Sequence, residues 1–168
     1  MRFWVKSASV VAVSVFTSII VYPLLHEAGH ITAALIIGYE IKEIGIDSAL
    51  YIRFMADSNV LKVLFVTFGG MVLPVLVSWL IPGRCFYLWL IKTVIIATGA
   101  VVVLLSVLSV VLCIAGFDIR ENDLISVAEF SSASVCICLV LSVLIEALLF
   151  YVLKSQRPFE RMYIFLLK

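Results

Sequence analysis

Four apolar runs, at about residues 8–38, 60–81, 86–115 and 131–153, decide what this chain can become. Each is long enough to supply the roughly 20 residues that a helix needs to cross a hydrocarbon core. Lipid offers the backbone no hydrogen-bond partners, so segments of this kind fold as helices that satisfy their own polar groups. Apolar residues make up 64% of the 168, against the roughly half of a soluble domain. The chain therefore reads as a mainly α, polytopic membrane protein: about four transmembrane helices in one domain over 1–168, with a short β-hairpin-like segment after the first.

The first run is too long for its task. As one straight helix it measures about 45 Å, against a hydrocarbon core of about 30 Å. It must tilt or break, and Pro23 is the expected place, because proline removes the hydrogen bond to the Ile19 carbonyl. The opening "MRFWVKSASVVAVSVFTSII" has the basic-then-apolar order of a signal peptide, but no clean small-x-small cleavage site follows, so a retained first span is expected.

The connections differ in character. After the first run, "YEIKEIGIDSALYIRF" (Tyr39 to Phe54) changes period, alternating polar or small residues with apolar ones, and predicts a hairpin turning near Asp47-Ser48. Pro82-Gly83-Arg84 makes the second connection short, so spans two and three form an antiparallel hairpin. The third, "GFDIRENDLISVAEF" (Gly116 to Phe130), is a dense polar cluster in which Asn122 or Asp123 would cap a short helix. Cys85, Cys113, Cys136 and Cys138 lie in or beside apolar runs without metal-finger spacing and read as small core residues. A net charge of +1, dispersed along the chain, argues against a nucleic-acid partner.

Both histidines of the chain fall inside the first run, as His26-Glu27-Ala28-Gly29-His30. Residues four apart on a helix share a face, so both imidazoles reach a single ion at about 2 Å, and Glu27 projects beside them toward an activated water. Two histidines spaced this way with glutamate between them arise by chance on the order of one time in two thousand, so chance is a poor explanation. Ionisable groups at this depth are costly and mark function. The pattern suits zinc with His26 and His30 as ligands and Glu27 as general base, which is the chemistry of peptide hydrolysis.

An H-E-x-x-H site needs a third ligand, and no third histidine exists. Asp123 and Asp118 are the foremost candidates; Asp47 and Asp57 sit next to the first span, and Glu146, anomalous within span four, is a weaker candidate or a proton-network residue.

These residues resemble the site-2 protease class of intramembrane zinc metalloproteases. "HEAGHITAALIIG" is similar to that family's H-E-x-G-H followed by small residues and a glycine, and the strand-like stretch after it resembles the family's membrane-associated hairpin. "FGGMVLPVL" (Phe68 to Leu76) looks like its glycine-and-proline core span, and "ENDLISVAEF" resembles the short form of its third-ligand motif; the longer N-x-x-P-x-x-x-L-D-G form is absent. The resemblance implies His26, His30 and Asp123 as zinc ligands and Glu27 as base, acting on a membrane-spanning or membrane-associated peptide. An edge strand in 39–54, with Ile44 and Ile46, would hold that peptide extended, because a helix must unwind before water can attack its carbonyls.

Two arguments on orientation oppose each other. Lys and Arg on the side of both termini (Arg2, Lys6, Arg84, Lys92, Lys154, Arg157, Arg161, Lys168) outnumber those opposite (Lys42, Arg53, Lys62, Arg120), which favours cytosolic termini. The resemblance implies a motif near the cytosolic end of its span and termini outside; we follow the resemblance. A rival reading, a non-catalytic zinc-binding membrane scaffold, would keep His26 and His30 without needing Glu27.

Overall fold

The computed structural model describes residues 3–46, 50–54, 59–117 and 132–167, with backbone only at 46, 50–54 and 132–134. The chain is mainly helical, and among the described residues four helical stretches are long and apolar enough to cross a membrane. In order the elements are α1 (Phe3–Phe16), a π-helical turn (Thr17–Val21), α2 (Tyr22–Ile37), strands β1 (Ile41–Ile46) and β2 (Leu50–Phe54), α3 (Val60–Leu80), α4 (Phe86–Ile114), α5 (Ser132–Ser155) and α6 (Pro158–Leu167).

The long first run is resolved without a break. A helix continues from Phe3 to Ile37, and the π turn absorbs the proline expected to interrupt it. Across that turn the Tyr22 N–H bonds to the Thr17 carbonyl, five residues back, and Pro23 then falls in the first turn of α2, where a missing N–H costs little. The widened turn is pinned to α4: Thr17 is fully buried, and the Ser18 and Thr98 hydroxyls pair at 3.1 Å. Gly38 ends α2 in the left-handed conformation (φ 65°), which turns the chain into β1.

The hairpin forms as its alternation predicts. β1 and β2 pair antiparallel, with Ile44 opposite Ile52 and Ile46 opposite Leu50, and with a bulge between Ile41 and Glu43. The turn expected at Asp47-Ser48 lies outside the described residues. Among the described residues β2 is the strand with the larger contact to α2, and Ile41 at the start of β1 packs against the cluster of Ala33, Ala34 and Val66. Asn59 then caps α3, its side-chain oxygen accepting from the Leu61 and Lys62 N–H groups at 3.0 and 3.4 Å.

α4 is the central post. Ile96, Val103 and Val110 pack with Cys138 and Leu149 of α5 and with Leu64 and Met71 of α3 in one buried cluster. α3 and α4 form the expected short-looped hairpin about 82–84. Beyond the fourth span the sequence reading stopped at 153, whereas α5 runs to Ser155 and a separate helix, α6, follows Arg157 (φ 47°). α6 folds back on the terminal side of the bundle: Phe165 stacks on Phe86 with ring centroids 3.6 Å apart, Lys6 donates to the Phe165 carbonyl at 3.0 Å, and the Arg161 guanidinium lies over Trp89.

Candidate metal centre

Among the described helices α2 packs most extensively against α3, and small residues line the contact. A side chain on Gly29 would run into the backbone oxygen of Gly69, and one on Gly69 would lie 2.6 Å from Ala33 Cβ. This is the Gly-x-x-x-small stripe by which membrane helices approach backbone to backbone. At Gly70 the missing side chain leaves room for the His30 ring, which a Cβ there would meet at Nε2 and, at 2.6 Å, at Cε1.

The approach brings the α3 carbonyls within reach of both imidazoles. His26 Nδ1 lies 3.0 Å from the Gly70 carbonyl, and His30 Nδ1 lies 2.8 Å from the Val66 carbonyl. The two helices run antiparallel, so a step of four on one matches a step of four on the other. A carbonyl oxygen can only accept, so each Nδ1 is the donor and carries the ring hydrogen. In the neutral rings neither Nε2 then bears one.

These two Nε2 atoms face each other at 3.2 Å. Two ring nitrogens without a hydrogen at that separation repel unless a cation or a shared proton lies between them. Two imidazoles bound to one zinc at about 2.0–2.1 Å with a tetrahedral angle are separated by about 3.3 Å. The separation matches that spacing, and the Nδ1-to-carbonyl bonds are contacts of the kind that orient histidines in metal sites. His30 is buried and His26 half-buried. Tyr22, itself buried against Gly99 of α4, stacks on the His26 ring at 6.0 Å.

Glu27 is half-buried and lies about 100° round the helix from His26. Asp123, Asp118, Asp47 and Asp57 lie outside the described residues, as does the short helix expected after Asn122. Among the described residues no group of three or more His, Cys, Asp and Glu is placed to hold one ion, so Glu146 does not join the two imidazoles. Its Oε2 is buried and has no hydrogen-bond partner among the described residues, nor has Ser142 Oγ one turn away. All four cysteines are free thiols, Cys138 buried and the others exposed. On β1, Ile44 is exposed; the Ile46 side chain is among those not described.

The sequence reading missed the Val66 and Gly70 carbonyls, the Tyr22 stack and an apolar groove of about 630 Å³ between α2, α3 and α5. The groove is lined by residues including Gly29, Ala33, Phe65, Phe68, Leu141 and Ile145. A signal for the close contact was present in the small residues Gly29, Ala33, Gly69 and Gly70. Comparison with protein-family models, with curated proteins and with solved structures finds no match.

Proposed function

We propose that this chain is a multi-pass integral membrane zinc endopeptidase of the site-2 protease kind, hydrolysing a peptide bond of a membrane-spanning or membrane-associated substrate. One observation carries the reading: two Nε2 atoms, each kept free of hydrogen by its own Nδ1 donor bond, converge to 3.2 Å. Zinc held by His26, His30 and a carboxylate, for which Asp123 is the proposed residue, supplies a Lewis acid that brings the pKa of water toward neutrality.

The chain's own residues do the rest. Glu27 takes a proton from the attacking water as its oxygen bonds to the scissile carbonyl carbon, and passes that proton to the amine as the C–N bond breaks. The substrate must be extended to present that carbonyl, and β1, which carries Ile44 and Ile46, is the strand proposed to hold it by main-chain hydrogen bonds. The apolar groove beside Gly29 suits the apolar residues of such a segment arriving from the bilayer. The net charge of +1, dispersed along the chain, gives no ground for proposing a nucleic-acid partner.

A second reading has its own support, because a proton shared between the two Nε2 atoms also relieves their repulsion, and a non-catalytic scaffold would need no more than that. Glu27→Gln separates the two. It keeps size and hydrogen bonding but cannot take the proton. The variant is expected to retain zinc and fold while cells carrying it accumulate an uncleaved membrane peptide that cells with the native chain process. Equal membrane peptide profiles in the two would favour the scaffold.

A further inference from the structure

The carbonyl that holds His26 belongs to Gly70, and four residues further along α3 stands Pro74. In an α-helix the carbonyl of residue 70 is claimed by the N–H of residue 74, and proline has none. Pro74 is the one proline within α3 and is fully buried, in a helix interior where proline is the least favourable residue. A freed carbonyl at membrane depth must be satisfied by a neighbouring helix, and His26 Nδ1 of α2 does this at 3.0 Å.

We propose that Pro74 is a positioning residue for His26: by withholding an N–H from the Gly70 carbonyl, it leaves that oxygen undivided for the imidazole and so favours the ring hydrogen on Nδ1. The consequence is felt across the ring, where Nε2 keeps its lone pair toward His30 Nε2. With an N–H restored at 74, the helix shares the same oxygen, which has two lone pairs, and the bond to His26 weakens. The His26 tautomer then shifts toward hydrogen on Nε2, the atom that faces its partner. His30 already lives with such sharing, because its acceptor, the Val66 carbonyl, has Gly70 rather than proline four residues on and still holds Nδ1 at 2.8 Å; Pro74 therefore biases His26 and has no hold on His30.

The metal arm of the test rests on the function proposed above; the tautomer arm does not. Pro74→Ala and Pro74→Gly both restore the N–H but differ in volume and helix preference. Each is made in the full chain, labelled with ¹⁵N-histidine, and studied free of metal well above the ordinary imidazole pKa. The native chain is expected to show both rings with hydrogen mainly on Nδ1, the two carbonyl bonds outweighing the repulsion between the facing Nε2 atoms. Both variants are expected to shift His26 alone toward the Nε2–H form, with His30 unchanged. Zinc binding is expected to weaken about 10- to 100-fold without a fall in melting temperature for Pro74→Ala, since alanine suits a helix better. An unchanged His26 tautomer overturns the proposal. So does a shift in only one variant, or an equal shift in both histidines accompanied by a lower melting temperature, which marks general loosening. If the native chain binds no zinc, the proposed function fails while the tautomer comparison still decides the role of Pro74.

Discussion

Replacing Gly29 with alanine puts the central contact under direct load. The added carbon would run into the Gly69 carbonyl oxygen and would also sit 2.8 Å from the Gly69 carbonyl carbon and 2.9 Å from Gly70 Cα. All three are backbone atoms, so no rotamer change relieves the overlap. Restoring ordinary carbon contacts of 3.5–4.0 Å requires α2 and α3 to separate by about 1 Å. That opening stretches the two Nδ1-to-carbonyl bonds from 3.0 and 2.8 Å to about 4 Å, beyond hydrogen-bond range. Overpacking of this kind costs about 1–3 kcal/mol of stability, and loss of both orienting bonds weakens metal by about 100-fold or more. The assay is zinc titration with a competing chelator, alongside thermal unfolding in detergent.

Gly38→Ala is the control. It meets nothing within 4 Å but is strained by its φ of 65°, so it should lower the melting point with zinc affinity unchanged. If Gly29→Ala binds zinc as the native chain does and melts at the same temperature, the backbone-to-backbone contact does not hold the histidines and the reasoning fails.

Two further outcomes test the remainder of the site. Asp123→Asn should weaken zinc and abolish cleavage while Asp118→Asn leaves both intact; asparagine still caps a helix, so a capping role alone predicts near-normal behaviour, and the reverse pattern reassigns the third ligand. Proline at Ile44, on β1, should slow cleavage without displacing zinc, as measured by cleavage rate and metal content together; an unaffected rate removes the hairpin from the mechanism.

Much of the architecture was legible because it rests on crude quantities. Runs of apolar residues long enough to span lipid fix helices within a few residues, as at Val60–Leu80 and Phe86–Ile114, and the alternation in 41–46 fixes a strand. What periodicity could not supply was the response of the backbone to Pro23. A kink and a π turn remove the same clash, and the choice depends on where Thr17 and Ser18 meet α4, which is tertiary information. α6 was overlooked because its contacts, Phe165 on Phe86 and Lys6 on the Phe165 carbonyl, join positions far apart in sequence. The histidine pair was readable from spacing alone. Its supports were not, because main-chain carbonyls are supplied by every residue and leave no mark in a sequence.

The most direct measurement is X-ray absorption at the zinc edge on the purified full-length chain, combined with elemental analysis of the native protein and of the His26→Ala, His30→Ala double variant. The convergence of two hydrogen-free Nε2 atoms at 3.2 Å leads us to expect roughly one zinc per chain, with two imidazole nitrogens at about 2.0–2.1 Å, and none in the double variant. A native chain without metal, or a double variant that retains it, contradicts the account.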